Sequence, residues 1–198
     1  MTRMNNFVSD HQHFAAYKLQ VEGCFQTEAS LPTKVFRDEF SRFRFEEFDW
    51  AMSSEFWPAM QALCRSSGDT TLLLAVLDPD PLNYYVKEFG YFNWAKLPIS
   101  ASSEEYWELL NQHPEQSPAD SLLVNSEKII WLPPSGEWAI WGERSFEVCV
   151  LGCREPNQGD SWHDVDWALE TAIPNAFRNK VVPLDFAEKL RRNYGAST

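Results

Sequence analysis

Four ionisable side chains crowd into one stretch, Gly159-Asp160-Ser161-Trp162-His163-Asp164-Val165-Asp166-Trp167. A carboxylate beside His163 can orient and charge an imidazole, which is what general acid–base work requires. Asp160 or Asp166 would supply that carboxylate in a small hydrolase-like enzyme. The same letters also read as a helix start. Asp160-Ser161 then caps the helix, and His163, Asp164 and Asp166 occupy its first turns, where the dipole favours acids. That reading needs no partner from elsewhere in the chain.

Other candidate clusters lack the spacing their chemistry demands. His11-x-His13 and Cys24 offer three metal-ligand types, but the pattern fits no standard zinc site and lacks a fourth ligand. Cys149 and Cys153 stand four apart on or just past a strand, roughly 13 Å at 3.3 Å per residue, so only a bend at Gly152 would let them share a metal or a disulfide. Asp78 and Asp80 begin a calcium-loop pattern, yet Leu82, Asn83 and Phe89 hold its third-ligand, glycine and closing-acid positions. There is no nucleophile elbow, P-loop, dinucleotide glycine pattern or His-Glu-x-x-His. No metal or cofactor is expected.

The chain has 198 residues, 17 Lys+Arg and 29 Asp+Glu, for a net charge of −12. That length suits one domain with a real core. With nine Trp and fourteen Phe it is not a disordered chain. The acidity argues against a nucleic-acid binder. Residues 101–170 hold 14 acidic and 3 basic side chains, whereas residues 171–198 hold 2 acidic and 5 basic ones. The acidic stretch also carries Trp107, Trp131, Trp138, Trp141, Trp162 and Trp167. An acidic surface over a Trp-rich core would keep the protein soluble. An acidic face with aromatic anchors would suit a basic protein partner. No apolar run is long enough for a membrane span or a signal peptide, so a cytoplasmic protein with reduced cysteines is expected.

The elements that must position these residues follow from pattern. Residues 1–30 show no clear periodicity: Phe14–Leu19 fits the opening of a short helix or a strand, and the whole stretch also reads as a peripheral extension. Arg42–Phe48 reads as a strand with Arg44 and Glu46 facing water. A helix runs from Glu55 to Cys64, a buried strand over Thr70–Leu77, a short helix over Leu82–Phe89 and a strand over Tyr91–Leu97. Ser102 or Ser103 caps the next helix. Lys128–Leu132, Trp138–Gly142 and Ser145–Leu151 form an antiparallel meander. Asp164–Phe177 is a helix that Pro174 ends or kinks, and Asp185–Tyr194 is the last helix. The expected architecture is a single α+β domain over residues 1–198, with a mainly antiparallel sheet and flanking helices.

The segment WLPPSGEWAIWGERSFEVCVLG, residues 131–152, resembles immunity proteins of bacterial polymorphic and contact-dependent toxin systems. It is a strand–turn–strand pattern, not a catalytic signature, and no functional residue carries over from it. The resemblance implies a small cytosolic protein that blocks a neighbouring toxin by tight binding; a structural interaction protein within a larger assembly is an alternative that the residues leave open. The expected contact residues are Glu137, Trp138, Trp141, Glu143 and Glu147, together with Asp160, His163, Asp164 and Asp166. The expected partner is a protein, most concretely a basic toxin, with no nucleic acid and no membrane. A monomer is expected, or a homodimer formed through an unpaired meander edge.

Overall fold

The computed structural model describes residues 6–155, 159 and 161–195. Six strands form one antiparallel sheet: β1 (Arg42–Glu47), β2 (Thr71–Asp78), β3 (Trp94–Pro98), β4 (Lys128–Leu132), β5 (Trp138–Glu143) and β6 (Val148–Cys153). Their spatial order is β1-β6-β5-β4-β2-β3. The helices are α1 (His11–Cys24), α2 (Phe48–Ala51), α3 (Trp57–Ser67), α4 (Lys87–Phe89), α5 (Ser103–Asn111), α6 (Val165–Trp167) and α7 (Leu184–Tyr194). The protein is an α+β single domain, as its pattern predicts.

Strand alternation divides the core into two layers. Leu72, Leu74 and Val76 of β2 join Trp131, Trp138, Ile140, Cys149 and Leu151 under α3 and α5. Leu73 and Ala75 join Ile130, Trp141, Val148 and Val150 under α1 and α7. Helices therefore cover both faces, and β5 and β6 are buried along their whole length. This explains their apolar composition: neither face has water to meet.

Local chemistry sets the helix ends. The Ser102 side chain accepts from the Glu105 backbone N–H while the Glu105 carboxylate accepts from Ser102 N, a reciprocal capping box at the start of α5. Gly68 takes a left-handed conformation at the end of α3, with φ of 73°.

Three elements differ from expectation. Residues 11–24 form a packed helix, not a peripheral extension, with Phe14, Val21 and Cys24 buried. Arg144–Phe146 is a single 3-10 turn, and Glu147 is left-handed at φ 57°, so β6 begins at Val148 instead of Ser145. Residues 165–176 are not one helix. Three residues of α6 pass into a π-helical segment, Ala168–Ala172, and then a 3-10 segment, Ile173–Ala176. Pro174 has no N–H to continue the α ladder, which accounts for the change of pitch near it.

Both outer edges of the sheet are partly covered. Phe45 N donates to His163 O at 2.9 Å and His163 N returns to Phe45 O at 3.1 Å, which caps β1. Val8 N donates to Trp94 O at 2.8 Å, and Lys96 N donates to Asn6 O at 2.9 Å, which caps β3. The meander β4-β5-β6 lies inside the sheet, so it presents no unpaired edge for dimerisation.

Candidate functional site

The contact residues expected on β5 are enclosed. Trp138 and Trp141 are fully buried on opposite faces of the sheet. Trp138 Nε1 donates to Ser67 Oγ at 3.2 Å, and Trp141 Nε1 donates to Glu143 Oε2 at 3.0 Å. Glu143 is only 2% exposed. Its Oε2 also accepts from Leu31 N at 3.1 Å, tying the segment after α1 to the sheet. None of the three has a surface to offer a partner. Alternation gives their parity, but only the second helical layer decides that both parities are covered.

Glu137 and Glu147 do reach the surface, at opposite ends of one strand. Glu137 precedes β5 and Glu147 follows it, and six residues at about 3.3 Å each separate the two by roughly 20 Å or more. Glu147 sits beside α2, where its carbonyl accepts from Phe48 N at 3.0 Å. Glu137 belongs to the β4–β5 turn at the far end.

The acid–base cluster assembles differently from its sequence order. His163 Nε2 lies 3.5 Å from Glu46 Oε1, and its ring stacks on Trp167 at 4.0 Å with 13° between planes. Asp164 accepts from Trp167 N at 2.9 Å and caps α6. Asp166 is held by Arg191 Nε at 2.8 Å. Asp160 lies outside the described residues. Glu46, which no local motif marks, is the carboxylate that meets the ring. The backbone bridge between Phe45 and His163 brings them together, and only the outward position of Glu46 on β1 hinted at it. Burial raises the Glu46 carboxyl above its ordinary range, while the neighbouring imidazole acts in the opposite direction.

A shallow pocket of about 320 Å³ adjoins this pair, lined by Arg44, Trp162, His163, Asp164 and Trp167. The imidazole lines it and can exchange a proton with a group bound there, while Glu46 stands behind the ring. Among the described residues the lining contains no Ser, Thr or Cys that could act as a nucleophile.

From this pocket an aromatic row continues. Trp162 meets Trp50 edge-on at 5.8 Å. Trp50 in turn lines a groove of about 430 Å³ with Glu47, Ser53, Ser54, Glu55 and Trp107. The nine tryptophans fall into two sets by what their N–H does. Trp57 and Trp94 donate to Ala101 O and Val76 O, both at 2.7 Å. Trp131 donates to Tyr106 Oη at 3.1 Å, and Trp138 and Trp141 are paired as above. Among the described residues, no group accepts from the indoles of Trp50, Trp107, Trp162 or Trp167. Core tryptophans ordinarily satisfy this donor, and tryptophans at interfaces keep it for an outside acceptor.

Carboxylates border the same row. Glu47, Asp49, Glu55 and Glu147 are exposed. None of them enters an ion pair among the described residues. Arg144, which lies 4.6 Å over the Phe48 ring, spends its donors on Ser126 O at 3.0 Å and Leu123 O at 2.7 Å.

Among the described residues no group of three His, Cys, Asp or Glu side chains could hold a metal ion. His11, His13 and Cys24 therefore do not form a site. None of the four cysteines forms a disulfide, and burial pushes the Cys64 thiol up to about 12. No described helix is long and apolar enough to cross a membrane. Protein-family models, curated proteins and solved structures were compared with the chain, and none matches.

Proposed function

We propose that the protein is a binding module for a basic protein partner, most concretely an immunity protein that neutralises a cognate cationic toxin in the cytoplasm by covering its working surface. One observation carries this reading. Among the described residues, Trp50, Trp107 and Trp167 reach the surface with indole donors that no protein group engages, Trp162 is buried behind them at 6% exposed, and the carboxylates beside them enter no ion pair. Large amphipathic rings with a charged border are the composition of a hot-spot surface. The resemblance of residues 131–152 to immunity proteins supports the same reading, although that segment is core and the surface lies beside it.

The test is capture of partners by the tagged protein from its native lysate, washed at low and then high salt. One stoichiometric basic protein released by salt is the expected result. A column that stays empty, or one that holds an acidic protein insensitively to salt, overturns the reading.

The His163–Glu46 pair favours a second reading, a small hydrolase-like enzyme. Loss of a measured hydrolytic activity on His163→Ala, with folding intact, would establish it.

A further inference from the structure

We infer that the groove between α2 and α5 receives a single cationic side chain, an arginine or lysine, from the protein partner. The inference rests on the binding reading above and assigns a specific chemical task to one part of that face.

Trp107 is the starting point. The α5 helix buries Tyr106, Leu109 and Leu110, which complete its packing stripe. Trp107 flanks that stripe, about 100° round the helix from Tyr106, and remains 42% exposed. Much of the indole is therefore open to solvent. Across the groove Trp50 is fixed: it packs edge-on against Phe56 at 5.1 Å and against Trp162, and its carbonyl accepts from Ser53 Oγ at 2.7 Å. One ring of the groove is therefore held in place and the other is open to contact.

The charges select the occupant. Among the described residues, Glu47 and Glu55 are the ionisable groups that line the groove, and no Lys, Arg or His lines it. Glu104 stands three residues before Trp107 on the same helix and is also exposed, so the open ring has a carboxylate neighbour too. Indole faces are negative at their centres, and carboxylates beside them add to that potential. An apolar group would leave the two acids uncompensated. An anion would be repelled. A guanidinium or ammonium satisfies rings and carboxylates together, and a guanidinium can stack on indole while its edge meets a carboxylate.

The test uses indole N–H signals of the intact protein, read by nuclear magnetic resonance. The probe is a capped tri-arginine peptide, and the control is the citrulline peptide of the same length, which keeps the shape and loses the charge. Expected are shifts of the Trp50 and Trp107 signals with the arginine peptide only. Trp107→Ala should weaken that binding by roughly two- to thirtyfold, the range of cation–π contacts, with the melting temperature unchanged. Glu47→Gln with Glu55→Gln should weaken it as well. Equal shifts with citrulline, or shifts confined to Trp162 and Trp167, overturn the assignment. So does a captured partner whose affinity is untouched by Trp107→Ala, and that result leaves the wider binding reading standing. An empty capture column sinks the wider reading and the groove assignment with it, whereas Trp50 and Trp107 signals unmoved by the arginine peptide sink the groove assignment alone.

Discussion

Gly152 shows how tightly the sheet is filled. It pairs with Phe43 of β1 on one side and with Ala139 of β5 on the other. A Cβ added there would sit 2.6 Å from the Phe36 ring. That ring is fully buried among Phe25, Phe40 and Phe43, so it cannot swing aside. Gly152→Ala should therefore cost about 1–3 kcal/mol, as overpacking does. The denaturant midpoint should fall with an unchanged slope, and a midpoint equal to that of the parent would show that the layer can relax. Glu46 offers a test of a different kind. Burial raises its carboxyl, so the folded protein holds this proton more tightly than the unfolded chain. Its contribution to stability is full below the ordinary carboxylate range and is lost as pH rises through the raised value. Glu46→Gln removes the titration, so the variant should gain stability relative to the parent as pH rises above the ordinary carboxylate range. A relative loss above that range would mean that attraction to His163 outweighs burial.

The elements differ in how far local sequence could announce them. The α5 start was legible because Ser102, Glu104 and Glu105 act on their own backbone and on the helix dipole, with no distant partner. Strand β4 and the alternation of Arg44 and Glu46 with Phe43 and Phe45 were legible because alternation is also local, but Glu46 does not face water: its side chain is 17% exposed beside His163. Helix α1 was not. Only Phe14, Val21 and Cys24 of its fourteen residues are buried, too sparse a stripe to stand out, and its stability comes from packing on the sheet. The short pairing strip before α1 was equally hidden, since Phe7 and Val8 acquire meaning only beside β3. Its removal is informative. Cutting away residues 1–9 strips two buried side chains, worth roughly 3 kcal/mol or more. It also uncovers the N–H and C=O groups of β3 that residues 6 and 8 now occupy. An exposed edge recruits other strands. Sedimentation of the truncated protein should show association that grows with concentration, whereas the full chain should not. A truncated protein that stays monomeric would mean that β3 is shielded by something other than this strip.

At the scale of the whole molecule, charge is unevenly shared between sequence and space. The excess of acids in residues 101–170 was plain in the sequence, and so were its six tryptophans. Folding redistributes both. Trp131, Trp138 and Trp141 go to the core, and Glu143 goes with them. The surface row instead draws Trp50, Glu47, Asp49 and Glu55 from the first third of the chain and joins them to Trp107, Glu147 and Trp167, with Trp162 buried behind them. No window of sequence holds that set, because the pairing of β1 with β6 and the bridge from Phe45 to His163 create it. On the proposed reading, a face of this composition would steer a cationic partner through the long-range field and hold it through desolvated rings. The two contributions respond differently to salt. Raising ionic strength from about 0.01 M to about 0.15 M shortens the screening length from roughly 30 Å to roughly 8 Å. The association rate with a captured basic partner should then fall by about tenfold or more, while the dissociation rate changes much less. Stopped-flow or surface-based kinetics at several salt concentrations would separate them. If salt acted instead on dissociation alone, the acidic border would be part of the closed contact, and Glu47 and Glu55 would be where to look for its ion pairs.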